Sequence, residues 1–140
     1  MSDTPLAELD AIVSIAISND ENHPASNVID GKDTTMWMTT GLLPQSLTIS
    51  FPKVVEIKQI LITSCKVRNL IIERSIKSHP TDFETCAEKS YKDENKKLQV
   101  GQYDLGKGVE ARHLKFIISE AYDSFIAVQH IKCVFAKGSR

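Results

Sequence analysis

The feature that most constrains the fold is a period-two pattern of apolar residues that recurs along most of the chain. Segment 47–51 alternates apolar and polar side chains, and segment 54–64 is rich in β-branched residues. Alternation is typical of half-buried strands, because successive side chains of a strand point to opposite faces of the sheet. About eight such segments are predicted, at 11–18, 47–51, 54–64, 67–74, 82–89, 98–105, 113–119 and 127–135.

Turn signals separate these segments. Pro52 has no N–H to donate to a strand ladder, so it predicts the end of the strand at 47–51. Polar turns are predicted at 78–81 and 92–97, and a glycine-rich turn at 106–108. Strands at such spacing predict an all-β fold, an antiparallel jelly-roll β-sandwich of about eight strands, and not alternating βαβ units.

The alternation also predicts which side chains build the core of this sandwich. Inward-facing positions of two packed sheets carry the apolar residues, and outward positions stay polar. The candidates are Ile15, Ile17, Leu47, Ile49, Phe51, Ile60, Ile62, Leu70, Ile72, Phe116, Ile118, Ile131 and Phe135.

The length and composition predict one soluble domain. The 140 residues suit a single domain over 1–140, with a folded core at about 11–136. The formal net charge of −1 gives no basic excess for nucleic acid. We expect no secretory signal and no membrane insertion, because the N-terminal stretch lacks a basic start and no apolar run is long enough. Three widely spaced cysteines form no zinc pattern, and they favour a reducing compartment.

The stretch 23–37 has the composition of a loop that could hold a hard cation. It offers the carboxylates of Asp30 and Asp33, the hydroxyls of Thr34 and Thr35, and main-chain carbonyls around Gly31. Calcium takes six to eight oxygen ligands of these kinds. A plain tight turn is an equal alternative, because Asp-Gly is a strong turn signal. The residues by themselves leave both interpretations open.

Three blocks of sequence resemble a known family. Asn27-Val28-Ile29-Asp30-Gly31, with Thr35 and Trp37, resembles the calcium loop of galactose-binding-like jelly rolls of the discoidin type. Together with His23-Pro24, the stretches TTGLLPQ at 39–45 and LKFIISEAYDSFIAV at 114–128 are similar to the intraflagellar transport protein 25 family. The resemblance runs from about residue 12 to residue 135.

The resemblance implies a function as well as a fold. It implies a non-enzymatic jelly roll that carries a structural calcium ion and forms a heterodimer with a Rab-like small GTPase, intraflagellar transport protein 27. The pair would belong to the intraflagellar transport B complex, alongside its other subunits and with an indirect link to the BBSome. Its location would be the cilium or flagellum and the cytoplasm of the basal body region.

The resemblance also suggests how the loop would bind calcium. Asp30 would be the main carboxylate ligand, and Thr35 would add its hydroxyl. Relatives often carry Asn-Pro where Lys32-Asp33 stand here, which implies that Asp33 contributes a main-chain oxygen. The last strand, near 128–131, would close the site. The predicted metal ligands are Asp30, Asp33, Thr35, Ile29, Val28 and His130.

The residues bear on three functional classes: an enzyme, a carbohydrate-binding module and an adaptor. No catalytic residues are predicted, because the histidines are scattered and no GxSxG, HExxH or P-loop pattern occurs. A carbohydrate-binding, lectin-like module of the same fold is the alternative, with Tyr103, Tyr122 and Phe125 as possible sugar-stacking residues. For these three aromatics, strand packing or edge cover is the competing interpretation. For the adaptor, the candidate partner-binding residues are Leu42, Leu43, Arg68 and Arg112. Packing over the sandwich mouth for the leucines and a solvated strand face for the arginines remain open alternatives.

Overall fold

The computed structural model describes residues 11–16, 29, 37–40, 43–91, 99–122 and 125–135. All strand pairs among these residues are antiparallel, so the predicted all-β antiparallel class is confirmed. The described part of the chain forms seven strands: β1 (Ile12–Ala16), β2 (Trp37–Thr40), β3 (Gln45–Cys65), β4 (Val67–Ser75), β5 (Glu84–Ser90), β6 (Gln99–Ala121) and β7 (Phe125–Phe135).

The two long strands, β3 and β6, connect the two layers of the sandwich. The strand order is β2-β7-β3-β6-β4-β5, and β1 also pairs with β3. The first part of β3, 45–50, pairs with β1 and with 113–118 of β6. Its second part, 57–65, pairs with β7 and with 99–109 of β6. Strands that change their neighbours in this way bend from one sheet into the other and form the corners of a sandwich.

Two predicted turns are absent from the described structure, both at the places where β3 and β6 bend. Pro52 does not end a strand, because β3 continues through it. The register shifts between Ser50 and Val55, so Pro52 lies where no ladder donor is needed. The predicted turn at 106–108 is also wrong, because this stretch lies inside β6. Gly106 and Gly108 have φ values of 63° and 115°, a region that glycine adopts without a steric cost.

The hydrophobic core follows the predicted alternation closely. Phe135 is only partly buried and packs its ring edge-on against Phe51, with ring centroids 6.0 Å apart. The side chain of Ile15 and the whole of Ile17 lie outside the part of the chain that the structure describes, so these two core assignments remain predictions. Burying each large aliphatic side chain contributes about 1.5–3 kcal/mol. The predicted core residues found buried are Leu47, Ile49, Phe51, Ile60, Ile62, Leu70, Ile72, Phe116, Ile118 and Ile131.

Candidate metal and partner sites

The predicted metal loop lies mostly outside the described residues. Val28, Asp30, Asp33 and Thr35 all fall there, so their predicted roles remain predictions. Ile29 is described and is buried in the hydrophobic core. Within the described ranges, no group of three or more His, Cys, Asp and Glu side chains could hold a metal ion.

The residues that follow the loop place its end beside β7. Trp37 is 0% exposed and pairs with Val128 of β7. His130 lies two residues further along β7, half-buried and opposite Thr63 of β3. Calcium prefers oxygen ligands over an imidazole nitrogen. His130 would therefore suit such a site through its main-chain carbonyl.

The structure brings two of the predicted partner-binding residues to one end of the sandwich. Gln45 of β3 and Leu70 of β4 both pair with Ile118 of β6. Leu43 and Arg68 each lie two residues earlier in the chain, so both are near the C-terminal end of β6. Leu43 is 39% exposed and Arg68 is exposed. Leu42 lies outside the described residues.

The fourth predicted partner residue lies elsewhere. Arg112 is half-buried, six positions before Ile118 along β6. At the usual rise of a strand this separates it from Ile118 by about 20 Å, and Arg68 lies further still, beside Glu120 and Ala121. Arg112 therefore cannot contribute to a compact surface that contains Leu43 and Arg68.

Arg68 belongs to a group of cations and tyrosines that the sequence pattern did not reveal. Its guanidinium carbon lies 5.8 Å from the centroid of the Tyr122 ring. The Lys89 ammonium lies 5.8 Å from the Tyr91 ring and 6.0 Å from the Tyr103 ring. We call these five residues the tyrosine cluster. They come from β4, β5, β6 and the ends of strands, so only tertiary structure brings them together.

The tyrosines of the cluster are linked by their hydroxyl groups. The Tyr91 and Tyr103 hydroxyls are hydrogen-bonded to each other, and Tyr122 Oη donates to the carbonyl of Tyr91. Burial raises the pKa of Tyr91 above its usual value, although the bond to Tyr103 opposes this shift. Burial, and then the bond from Tyr91, raise the pKa of Tyr103. Both phenols therefore stay neutral at physiological pH.

Gln99 fixes the start of β4 beside this cluster. Its side-chain amide accepts a hydrogen bond from Val67 N at 3.0 Å and donates one to Val67 O at 2.8 Å. The amide thus bonds to Val67 as the backbone of a neighbouring strand would. Because Gln99 begins β6 and Val67 begins β4, the contact joins the two layers at this end of the sandwich.

A buried serine–histidine contact lies on the other side of the molecule. Ser50 Oγ is 2.7 Å from His113 Nδ1, and His113 Nε2 is 2.9 Å from the carbonyl oxygen of Lys77. His113 is only 4% exposed. A nucleophile and its base need an open position for substrate. Here both ring nitrogens are hydrogen-bonded within the protein, and the residues join β3, β6 and the loop after β4.

The loop after β4 borders a cleft of about 490 Å³ that is lined by both charged and apolar side chains. Arg74, Lys77, Asp82 and Glu84 supply charges of both signs, and Phe83 supplies an apolar wall. Arg74 is engaged already, because its guanidinium lies 3.2 Å from a Glu84 oxygen and donates to the carbonyl of Glu110. The charges of this cleft are thus balanced locally, and they favour no single ligand class.

Comparison with known proteins assigns the fold and the family. The F5/8 type C domain family matches residues 14–129. A protein named intraflagellar transport protein 25 homolog, from Mus musculus, is 41% identical over 119 residues, which cover 85% of this chain and 82% of that protein. Intraflagellar transport protein 25 of Chlamydomonas reinhardtii is 30% identical over 134 residues, with 96% and 70% covered.

The chain belongs to the intraflagellar transport protein 25 family. The predicted resemblance is therefore confirmed. Among solved structures, a family 32 carbohydrate-binding module from Clostridium perfringens NanJ, in complex with galactose, has a TM-score of 0.76 at 23% identity and covers 93% of this chain and 96% of its own. This likeness confirms the galactose-binding-like jelly roll. No helix within the described ranges is long and apolar enough to cross a membrane.

Proposed function

We propose that this chain is a non-enzymatic subunit of the intraflagellar transport B complex. It would form a heterodimer with the Rab-like small GTPase intraflagellar transport protein 27 and support trafficking in the cilium or flagellum and in the cytoplasm near the basal body. The single observation that carries the proposal is the 41% identity to an intraflagellar transport protein 25 homolog over 85% of the chain. Contacts with other B-complex subunits, and through them with the BBSome, follow from the same assignment.

The geometry supports a binding role over a catalytic one. The buried polar side chains at Ser50 and His113 connect strands and a loop. Two exposed side chains at one end of the sandwich, Leu43 and Arg68, are of the kinds that anchor protein interfaces, since aromatic residues, Met and arginine are enriched there and the interface core is apolar. The proposed partner surface is this end of the sandwich, with Leu42 as its neighbour in sequence.

A calcium ion is the proposed structural component of the domain. Asp30 and Thr35 would hold it with side-chain oxygens, and Val28, Ile29 and Asp33 would add carbonyls. All these ligands are oxygens, which is the donor set that calcium takes. Ile29 and Trp37 are both buried, so the segment between them is anchored in the core at both ends. With the main-chain carbonyl of His130 as a further ligand, a bound ion would add a cross-link between this segment and β7.

The heterodimer is tested by co-expressing the chain with the GTPase and measuring the mass of the purified species. A stable one-to-one complex is expected, with the chain alone as the reference. If the two proteins elute separately at micromolar concentration, the proposed function is wrong.

A carbohydrate-binding module remains the second candidate, because the galactose-bound module from C. perfringens has the same fold. Among the described residues, Tyr122 has the aromatic ring best placed to contact a sugar, because it is exposed. A glycan array is the direct test. Micromolar binding of a defined glycan, lost in Tyr122→Ala and kept in Tyr103→Phe, would favour this candidate over the adaptor.

A further inference from the structure

We propose that Arg68 and Lys89, held on the tyrosine cluster, form a docking surface for an acidic segment of a partner protein. The inference rests on the proposed function in one respect, namely that the chain acts by binding another protein. It adds the location of the surface and the chemical character of what binds there.

Both cations of the proposed surface lie over aromatic rings. Arg68 lies over the Tyr122 ring, and Lys89 lies over Tyr91 and Tyr103. Among the described residues, neither cation forms an ion pair with an acidic side chain. Glu88, next to Lys89 in β5, accepts a hydrogen bond from the Asn69 amide instead. A cation–π contact uses the ring face and leaves N–H donors available.

The surface is fixed by main-chain hydrogen bonds before any partner arrives. Tyr91 N donates to Arg68 O at 2.8 Å, and Tyr122 N donates to Lys66 O at 2.9 Å. Tyr122 Oη donates to the carbonyl of Tyr91, and the Tyr91 and Tyr103 hydroxyls are bonded to each other. Groups that are already ordered lose less conformational entropy on binding, which favours affinity. Tyrosine and arginine are also the side chains enriched among interface hot spots.

The placement of the rings favours protein carboxylates over a sugar. A sugar needs an open aromatic face for stacking, but Arg68 covers a face of Tyr122, and Tyr103 is buried. Tyr91 is half-buried and lies against Gly101. The exposed Leu43 lies at the same end of the sandwich and adds an apolar contact beside the charges. Two cations that pair with no acid among the described residues, at an end of the sandwich that also carries an exposed leucine, complement a protein segment that carries Asp or Glu residues.

The test compares charge reversal at this surface with charge reversal elsewhere. The double variant R68E/K89E and the control K58E are each titrated with the purified Rab-like GTPase at low and high salt. Lys58 is exposed on β3, about 23 Å from the Cys65 end of that strand. We expect R68E/K89E to lose about tenfold or more in affinity and K58E to bind as the wild type does. Added salt should weaken the wild type more than the double variant.

Each other outcome has a distinct meaning. If the wild type and K58E bind the GTPase and R68E/K89E binds equally well, the acidic-segment inference is wrong and the heterodimer stands. If the wild type does not bind the GTPase, both are wrong. The milder variant R68Q/K89Q guards against misfolding, because it should lower affinity with an unchanged melting temperature. Loss of binding to a sialylated or sulfated glycan in R68E/K89E, without an effect on the GTPase, would overturn the inference in favour of a glycan site.

Discussion

The Ser50 hydroxyl and the His113 ring are hydrogen-bonded at 2.7 Å inside the sandwich, and the second ring nitrogen meets the Lys77 carbonyl at 2.9 Å. A carbonyl oxygen can only accept a hydrogen bond, so the neutral ring must carry its proton on Nε2. Nδ1 is then the acceptor for the Ser50 hydroxyl. One histidine thereby connects β3 and β6 to the loop after β4.

Removing either partner of this contact should destabilise the fold. Ser50→Ala leaves Nδ1 of a buried ring without this donor, and a buried polar group that loses its partner costs about 1–3 kcal/mol. Urea unfolding should show a lower free energy of unfolding at unchanged slope. His79→Ala is the matched control, because His79 is exposed in the same loop region. Equal stability of Ser50→Ala and the wild type would contradict the interpretation.

Gly101→Ala should disturb the tyrosine cluster. A Cβ at this position would overlap the Tyr91 hydroxyl oxygen and would lie 2.9 Å from Cζ of that ring. The ring must move, which strains its contacts with Tyr103 and Lys89. We expect a loss of about 1–2 kcal/mol in unfolding free energy, typical of an overpacked site.

A double-mutant cycle identifies the cause of that loss. In a Tyr91→Ala background the ring is absent, so the added methyl of Gly101→Ala should cost much less. The coupling between the two changes is the measured quantity. Additive effects of the two substitutions would mean that the clash with Tyr91 is not responsible.

Cys133 should be inert in the folded protein. It is a free, fully buried thiol, and burial raises its pKa from 9.0 to about 12. At pH 8 this shift leaves about a thousandfold less thiolate than in the unfolded chain, and the thiolate is the reactive form. Timed alkylation read by mass spectrometry should label Cys133 quickly in urea and very slowly in buffer.

The same shift fixes a direction for stability at alkaline pH. The folded state keeps the Cys133 proton between about pH 9 and pH 12, while the unfolded state releases it. The contribution is complete below pH 9 and is lost as pH rises through this window, by about 1.4 kcal/mol per pH unit. Cys133→Ala should reduce this dependence, and an unchanged slope would contradict the assignment.

Calcium should raise the melting temperature through Asp30. An ion that binds only the native state contributes about 2.7 kcal/mol at a hundred times its dissociation constant. The wild type should therefore melt higher in calcium than in EDTA. Asp30→Ala should have the same melting temperature in calcium as in EDTA, equal to that of the wild type in EDTA. This variant is therefore the control for effects of calcium that do not depend on Asp30. A wild type that does not respond to calcium would remove the ion from the proposal.

Several features of the fold were predictable from local pattern. The alternation at 47–51 and 67–74 identified strands and their buried faces, because only one register puts the apolar set inward. The prediction of turns failed at Pro52 and at Gly106 and Gly108, because proline and glycine are strong turn signals. All three lie at irregular positions of long strands, where the ladder is interrupted, and the two glycines also have positive φ.

The candidate partner surface was predictable only in part. Arg68 and Leu43 were identified from residue type, since both kinds of side chain anchor interfaces. Arg112 looked equivalent in sequence but lies in the middle of β6, away from that end of the sandwich. No pattern pointed to Lys89 and Tyr91, because nothing local to β5 indicates that its end packs against Tyr103 and Tyr122.

Local sequence patterns specify the all-β class, most of the core and the family, because alternation and motif are properties that each strand carries alone. Tertiary structure decided how β3 and β6 bend between the two sheets and which charged residues share one end of the sandwich. It also placed Arg68 and Lys89 on aromatic rings. These are long-range relationships: they depend on the register of strands far apart in the chain, which no local pattern records.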